Sequence, residues 1–380
     1  MYPTLRFADP TWPETVTEEL ARFAAEVEDE LVEAERVGRF PVEVYEEMGR
    51  RGWVGPFTPV SHGGLGGGIA EYCLIEEEVG RHGLVAPQVS AQGQRWLLDW
   101  GTDEQRDRYL DGMARGKIIF SESISEPGAG SSLRALRTTA RRDGSDWLIH
   151  GEKTHVNLGH QSHVTLVYAA ADEGMTAFLV DTSLPGVSSV QTEPIGLRLM
   201  PTADMTFDQV RVPADAVLGE VGRGMDTFFS TFNVSRLGNA SELIGFGRRA
   251  MHLGVTYARD RHVGDSRVTD FQGIQWLVAE SYERLYSASL ARDHAANLAD
   301  RGEEHAMETT MAKKLAIGAA EYAVNEVFSL VGGHGLYRDR EYARLIQDTK
   351  VLRVAGGSLE VLRNYVARSV LRSERLGGLT

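Results

Sequence analysis

The chain carries one cysteine, Cys73, in 380 residues. That excludes an intramolecular disulfide and a cysteine-built metal site. Cys73 lies among Tyr72, Leu74 and Ile75, where a cysteine serves as a small apolar core residue. A basic surplus is also missing: the formal net charge is -14. This speaks against nucleic-acid binding, which needs a cationic face, but leaves room for a phosphate-bearing ligand met by a few local arginines. No apolar run approaches the ~18 residues of a membrane span, and the opening MYPTLRFADPTWPE has no basic stretch followed by an apolar one. The expectation is a cytoplasmic protein with no membrane or nucleic-acid partner. What the chain does have is ordinary globular composition, 42% hydrophobic and 25% charged, and enough length for a large core.

Hydrophobic periodicity divides it in three. Val16, Leu20, Phe23, Ala24, Val27 and Leu31 recur at three- and four-residue steps and form one helical stripe. Pro41 opens a further helix with Val42, Val44, Tyr45 and Met48 inward, and Ile69–Gly80 resumes the pattern after a loop. That loop has five glycines in the six residues from Gly63. It resembles a phosphate cradle, yet no strand precedes it and no Lys-Ser/Thr follows, so a structural turn is the simpler reading. From residue 119 to about 220, short segments rich in β-formers (Trp147–His150, Val164–Tyr168, Ala177–Val180) alternate with turn residues. Helical periodicity returns over 226–260, 269–298, 303–331 and 339–372. The expected fold is α+β: an N-terminal helical domain over 1–118, a central antiparallel β domain over 119–225, and a C-terminal four-helix bundle over 226–380.

Several segments carry chemistry. Ser125-Glu-Pro-Gly-Ala-Gly-Ser-Ser132 offers glycines that admit a ligand close to the backbone and serine hydroxyls that can donate to it, although a plain turn uses the same residues. Gly151–Gly159, Ile195–Arg198, Phe207–Pro213 and Val221–Met225 follow. Gly101-Thr-Asp-Glu-Gln-Arg-Asp-Arg-Tyr-Leu110, Tyr257-Ala-Arg-Asp-Arg261 with Gln272 eleven residues on, Gly332-Gly-His-Gly335 and Arg353-Val-Ala-Gly-Gly-Ser-Leu-Glu-Val-Leu-Arg363 complete the set.

Together, and in this order, these segments resemble the acyl-CoA dehydrogenases from the first helix to the end. The resemblance implies bound FAD and a homotetramer or homodimer in which neighbouring subunits complete each flavin site. By matched position it puts Ser125 and Ser131 toward the flavin and its pyrophosphate, His155 against the ring and Asn157 near flavin N5. Arg261 and Gln272 would hold the pyrophosphate of the adjacent subunit's cofactor, a role suited to a guanidinium fork. Gly332, Gly333, Ser358 and Glu360 are implied as further cofactor contacts. The pattern also departs from the family. Gly264-Asp265 replaces Phe-Gly, Ser329 replaces a glutamine, and Gln347 replaces the arginine before Asp348.

One departure touches the reaction. Family desaturation needs a carboxylate to take the α-proton and hydrogen bonds to the developing enolate. The usual Glu-Gly-Thr is here Gly356-Gly357-Ser358, and the alternative base position, just before Arg236, is Ser235. The resemblance implies that the backbone N–H at this position binds the thioester oxygen, and Gly356 retains that N–H. Glu242, Glu122, Asp99 and His155 are candidates for a substitute proton carrier, although the simpler reading of the three carboxylates is a solvated or capping charge and of His155 an ordinary lone histidine. Arg95 and Trp96 could meet a polar substrate, or simply be helix residues. The implied activity is an FAD-dependent oxidoreductase on an unusual acyl thioester, bound to CoA or a carrier protein, with non-standard base chemistry. Its electrons would go to an electron-transfer flavoprotein or oxygen. Two alternatives are a base-less subunit of a hetero-oligomeric dehydrogenase and a flavin monooxygenase on the same fold.

Overall fold

The structure is a computed structural model and describes residues 5–7, 9–130, 135–337 and 341–372. The first part is helical: α1 (Trp12–Glu26), α2 (Glu28–Val37), α3 (Val42–Arg50), α4 (Ile69–His82), α5 (Gln88–Trp100) and α6 (Asp103–Ala114). The stripe expected to run through Val27 breaks there, because Val27 ends α1 with a non-helical ψ of 9° and α2 starts afresh. Val44, Tyr45 and Met48 are buried as expected, but Val42, at the first position of α3, is exposed. α4 is buried on nearly every side, packed by α1 on one flank and by the C-terminal helices on the other.

The glycine loop before α4 is not a cradle. The first N–H groups of that helix, Ile69 and Ala70, donate to the Asp300 carboxylate at 2.6 and 3.0 Å. The anion that a helix N-terminus attracts is therefore supplied by the chain itself.

The central part contains β1 (Phe120–Ser123), β2 (Thr139–Asp143), β3 (Asp146–Asn157), β4 (Val164–Ala171), β5 (Gly174–Asp181), β6 (Val187–Thr192) and β7 (Thr202–Val212). They form one sheet in the order β1-β4-β2-β3-β7-β6, with β5 on the other side of β4. Pairing is mostly antiparallel, while β4 runs parallel to β1 and to β2. Trp147, Ile149, Phe178, Val180, Phe207 and Val210 fill its core.

The last part holds α7 (Gly224–Asp260), the small hairpin β8 (His262–Val263) and β9 (Ser266–Arg267), then α8 (Gln272–Asp300), α9 (Ala306–Val331), α10 (Glu341–Val354) and α11 (Leu359–Arg372). The helical period over 339–372 is thus two helices. Gly356 and Gly357 take φ of +65° and +98°, values an L side chain resists and glycine accepts freely, so the chain turns between them. α7 is the shared element: it packs against α4, α5, α8, α9 and α10.

Candidate active site

The Ala355–Ser358 turn is held by two buried cations. Lys313 of α9 donates from Nζ to the Ala355 carbonyl and, at 3.2 Å, to the Gly357 carbonyl. Arg236 of α7 reaches the Gly356 carbonyl at 3.4 Å through Nε and Thr310 Oγ1 at 3.2 Å. Its guanidinium lies 4.3 Å from the Phe232 ring centroid, a cation–π arrangement. Burial, with the neighbouring Arg236 charge, pushes the Lys313 ammonium down to about 7. Burial likewise lowers Arg236 from its ordinary value. Among the described residues neither cation has a carboxylate in ion-pair reach. Three successive carbonyls take that place, and no described acceptor takes the Gly356 N–H.

The two positions at which a base was sought converge. A Cβ built on Gly356 would stand 3.6 Å from Ser235 Oγ and 3.1 Å from Lys313 Nζ, and would collide with Asn239 Nδ2. Ser235 is itself engaged, because Gln88 Nε2 of α5 donates to its carbonyl and to its hydroxyl, each at 3.0 Å. One turn back on α7, Thr231 Oγ1 accepts from Gln92 Nε2 at 3.2 Å. The helix face beneath the turn is therefore polar: Thr231, Ser235, Asn239 and Glu242 recur at steps of four, four and three and are all buried.

The substitute carriers separate clearly. Glu242 is on this face, 3% exposed, its carboxyl pushed up to about 8 by burial and by the Asp348 charge. Glu122 is on β1, its carboxyl raised to about 8 by burial alone. Asp99 is exposed and paired with Arg95 at 2.9 Å, which occupies both, and Trp96 is a core residue donating from Nε1 to the Thr227 carbonyl. These three do not meet the turn. His155 lies elsewhere, on the outer side of β3.

His155 belongs to a second group of residues around the Ser125–Gly130 loop. Glu126 anchors that loop from within: it accepts from Arg137 N at 2.6 Å, Thr138 N at 3.0 Å and Lys153 Nζ at 2.9 Å. Burial opposes the Glu126 charge, but Lys153 and these N–H groups hold its carboxyl below the usual range. The partly buried Ser125 accepts Thr154 N through its carbonyl at 2.9 Å. The register shifts between Lys153 and Val156, where His155 has φ +56°. This bulge leaves both His155 and Asn157 pointing to solvent. Gly128 and Gly130 are open: a Cβ on either would meet nothing within 4 Å. Ser131 lies outside the described residues.

The remaining sequence-derived positions do not join this group within one chain. Arg261 and Gln272 are exposed at the far end of α7 and the start of α8. Gly332 and Gly333 are exposed after α9, again with open space over each. Ser358 caps α11, its Oγ accepting Val361 N at 3.4 Å, and Glu360 is exposed beside Arg353. An open glycine loop, outward His155 and Asn157, and an exposed Arg261 without an ion-pair partner among the described residues fit a flat cofactor with a charged tail.

Sequence reasoning missed Lys313, Asn239, Tyr72 and Glu76. The signal available was faint: three glutamates, 76–78, inside a helix whose other neighbours are apolar.

The comparisons agree with this architecture. Family models described as the N-terminal, middle and C-terminal domains of acyl-CoA dehydrogenase match residues 13–117, 121–210 and 222–371. The chain is 34% identical to a 3-(aryl)acrylate reductase of Clostridium sporogenes over 93% of its length and 97% of that protein's. It is 32% identical to the caffeyl-CoA reductase-Etf complex subunit CarC of Acetobacterium woodii, with 93% and 97% covered. A probable acyl-CoA dehydrogenase from Mycobacterium abscessus superposes with a TM-score of 0.90 at 27% identity, covering 96% of this chain and 99% of that one. This chain therefore belongs to the acyl-CoA dehydrogenase family and is an acyl-CoA dehydrogenase-like flavoenzyme with FAD as its cofactor.

Proposed function

We propose that the protein is an FAD-dependent oxidoreductase acting on an unusual acyl thioester, carried by CoA or a carrier protein, without a carboxylate base at the Gly356 turn. The observation that carries this reading is the convergence of Gly356, Ser235 and Asn239 on one point with no carboxylate there. The flavin, when bound, supplies two-electron hydride exchange with the acyl group. The chain's part is to bind and orient. Lys313 and Arg236 tie back the carbonyls of the turn, which leaves the Gly356 N–H to polarise a thioester oxygen. Ser125, Ser131, His155, Asn157, Gly332, Gly333, Ser358 and Glu360 would hold the cofactor, with Arg261 and Gln272 reaching a neighbouring subunit's in a homodimer or homotetramer. With domains at 1–118, 119–225 and 226–380, the site would lie where the β domain and both helical parts meet.

Removing a general base costs ~10²–10⁴ in rate, so ordinary desaturation is disfavoured. Relatives named as reductases, one of them a subunit of a reductase-Etf complex, support the reductive direction, in which the α-carbon would take its proton from water, since the group missing as a base is missing as an acid too. An electron-transfer flavoprotein is the partner this favours. No helix among the described residues is long and apolar enough to cross a membrane.

The test is anaerobic flavin spectroscopy of the purified holoenzyme. Wild-type protein should show no bleaching with saturated acyl-CoAs. The double substitution Gly356→Glu with Asn239→Ala restores the carboxylate and removes the colliding amide, and should gain bleaching of at least ~100-fold in rate. Rapid bleaching of the wild type by butyryl-CoA would overturn the reading. Bleaching only after a second protein is added would favour a base-less subunit instead.

A further inference from the structure

Beneath the Gly356 turn lie buried polar groups that no described residue satisfies. Asn239 is 1% exposed, and neither its Oδ1 nor its Nδ2 has a hydrogen-bond partner among the described residues. The same holds for the Tyr72 hydroxyl, both carboxyl oxygens of Glu76, and Glu242 Oε2. Tyr72 and Glu76 are one turn apart on α4; Asn239 and Glu242 are one turn apart on the face of α7 that packs against it. Tyr72, Glu76 and Glu242 lie within electrostatic reach of one another, and Asn239 adjoins Glu242 on α7. A Cβ at Gly238 would collide with the Tyr72 hydroxyl, as one at Gly356 would with Asn239. Native interiors leave very few such groups unpaired, and each unpaired one carries a desolvation cost.

A hydrocarbon chain laid along this wall would leave every one of these groups dry and unpaired. We infer that the wall formed by Asn239, Tyr72, Glu76 and Glu242 recognises a short acyl group bearing a neutral hydrogen-bonding substituent, a hydroxyl or amide, rather than an alkyl chain. The inference rests on the reading of the Gly356 turn as the place of the thioester. Three features make the match. Asn239 offers a donor and an acceptor. Burial raises the Glu76 and Glu242 carboxyls above their ordinary range, which favours the neutral acid form that can donate a hydrogen bond. Burial penalises an anionic substituent as it does the two carboxylates, while Lys313 and Arg236 at the same turn repel a cationic one. Glu77 and Glu78, by contrast, are already engaged by Arg292 and His82, so the vacancy is specific to Glu76.

Discrimination of this kind is large, because a site built to bond a hydroxyl strands its own polar groups when the analogue lacks it. The test compares 4-hydroxybutyryl-CoA with pentanoyl-CoA, which differ by O–H against CH3, as perturbants of the flavin absorbance in the holoenzyme. The hydroxylated thioester should bind tighter by about 10-fold or more. Asn239→Leu should reduce or invert the ratio, and Glu76→Leu should do so independently if the first variant folds poorly. Equal binding of the two thioesters, or tighter binding of pentanoyl-CoA, would overturn the inference, as would a preference for 4-aminobutyryl-CoA over both. Failure of any thioester to perturb the flavin would instead count against the thioester-binding reading itself.

Discussion

Glu76 and Glu77 are consecutive on α4 and both are 0% exposed, yet they sit in opposite surroundings. Glu77 faces the bundle and meets Arg292 at 2.8 Å and Arg248. Arg292 also binds Asp293 at 2.6 Å and Ser241 at 2.9 Å, so that ionic cluster closes on itself. Glu76, about 100° further round the same helix, faces Glu242 and the unpaired Tyr72 hydroxyl. A buried charge that only supports the fold finds its counter-ion within the fold. The Glu76 cluster is left incomplete in the one part of the molecule where the substrate is expected.

The largest expected effect comes from breaking the closed side. Arg292→Leu removes the cation shared by Glu77 and Asp293, leaving Arg248 on Glu77, and should cost about 3–5 kcal/mol, read as a lowered denaturant midpoint; a change within error would mean the ionic cluster is not what holds α4, α7 and α8 together. The open side should answer in pH. Burial raises the Glu242 carboxyl from 4.5 to about 8, so between these values the folded state holds a proton that the unfolded chain releases. Stability should therefore fall as pH rises from ~4.5 to ~8 and level off above. Glu242→Gln should make that slope shallower, and an unchanged slope would contradict the burial effect. The smallest effect belongs to a pair outside both clusters: Asp99→Asn, on the exposed Arg95–Asp99 pair, should shift stability by no more than ~0.5 kcal/mol and leave thioester binding untouched.

Much of this was legible in the sequence. The three-part architecture follows from the change of hydrophobic period, and the family follows from segments such as Ser125–Ser132 and Gly332–Gly335 taken in order. The empty base position at Gly356 was also readable. Less legible was the break at 355–358, where a continuous helical period conceals a glycine turn. The role of Lys313 was invisible, because a lysine in MAKKLAIG looks like a solvated helix charge until α9 is placed under that turn. Arg95 and Asp99 show the reverse: they read as candidates for the site and prove to be each other's partner on the surface.

By itself, then, the sequence determined which faces of each helix are apolar, where the sheet begins and ends, and that no carboxylate occupies position 356 or 235. Local periodicity and motif spacing are properties of neighbouring residues, and neighbouring residues are what a sequence displays. Only the tertiary structure decided that positions 235, 239 and 356 share one point, that Lys313 holds the turn, and that Glu76 and Glu242 face each other without a cation. Those facts depend on which helix face meets which, and packing between residues from 42 to more than 100 positions apart sets them.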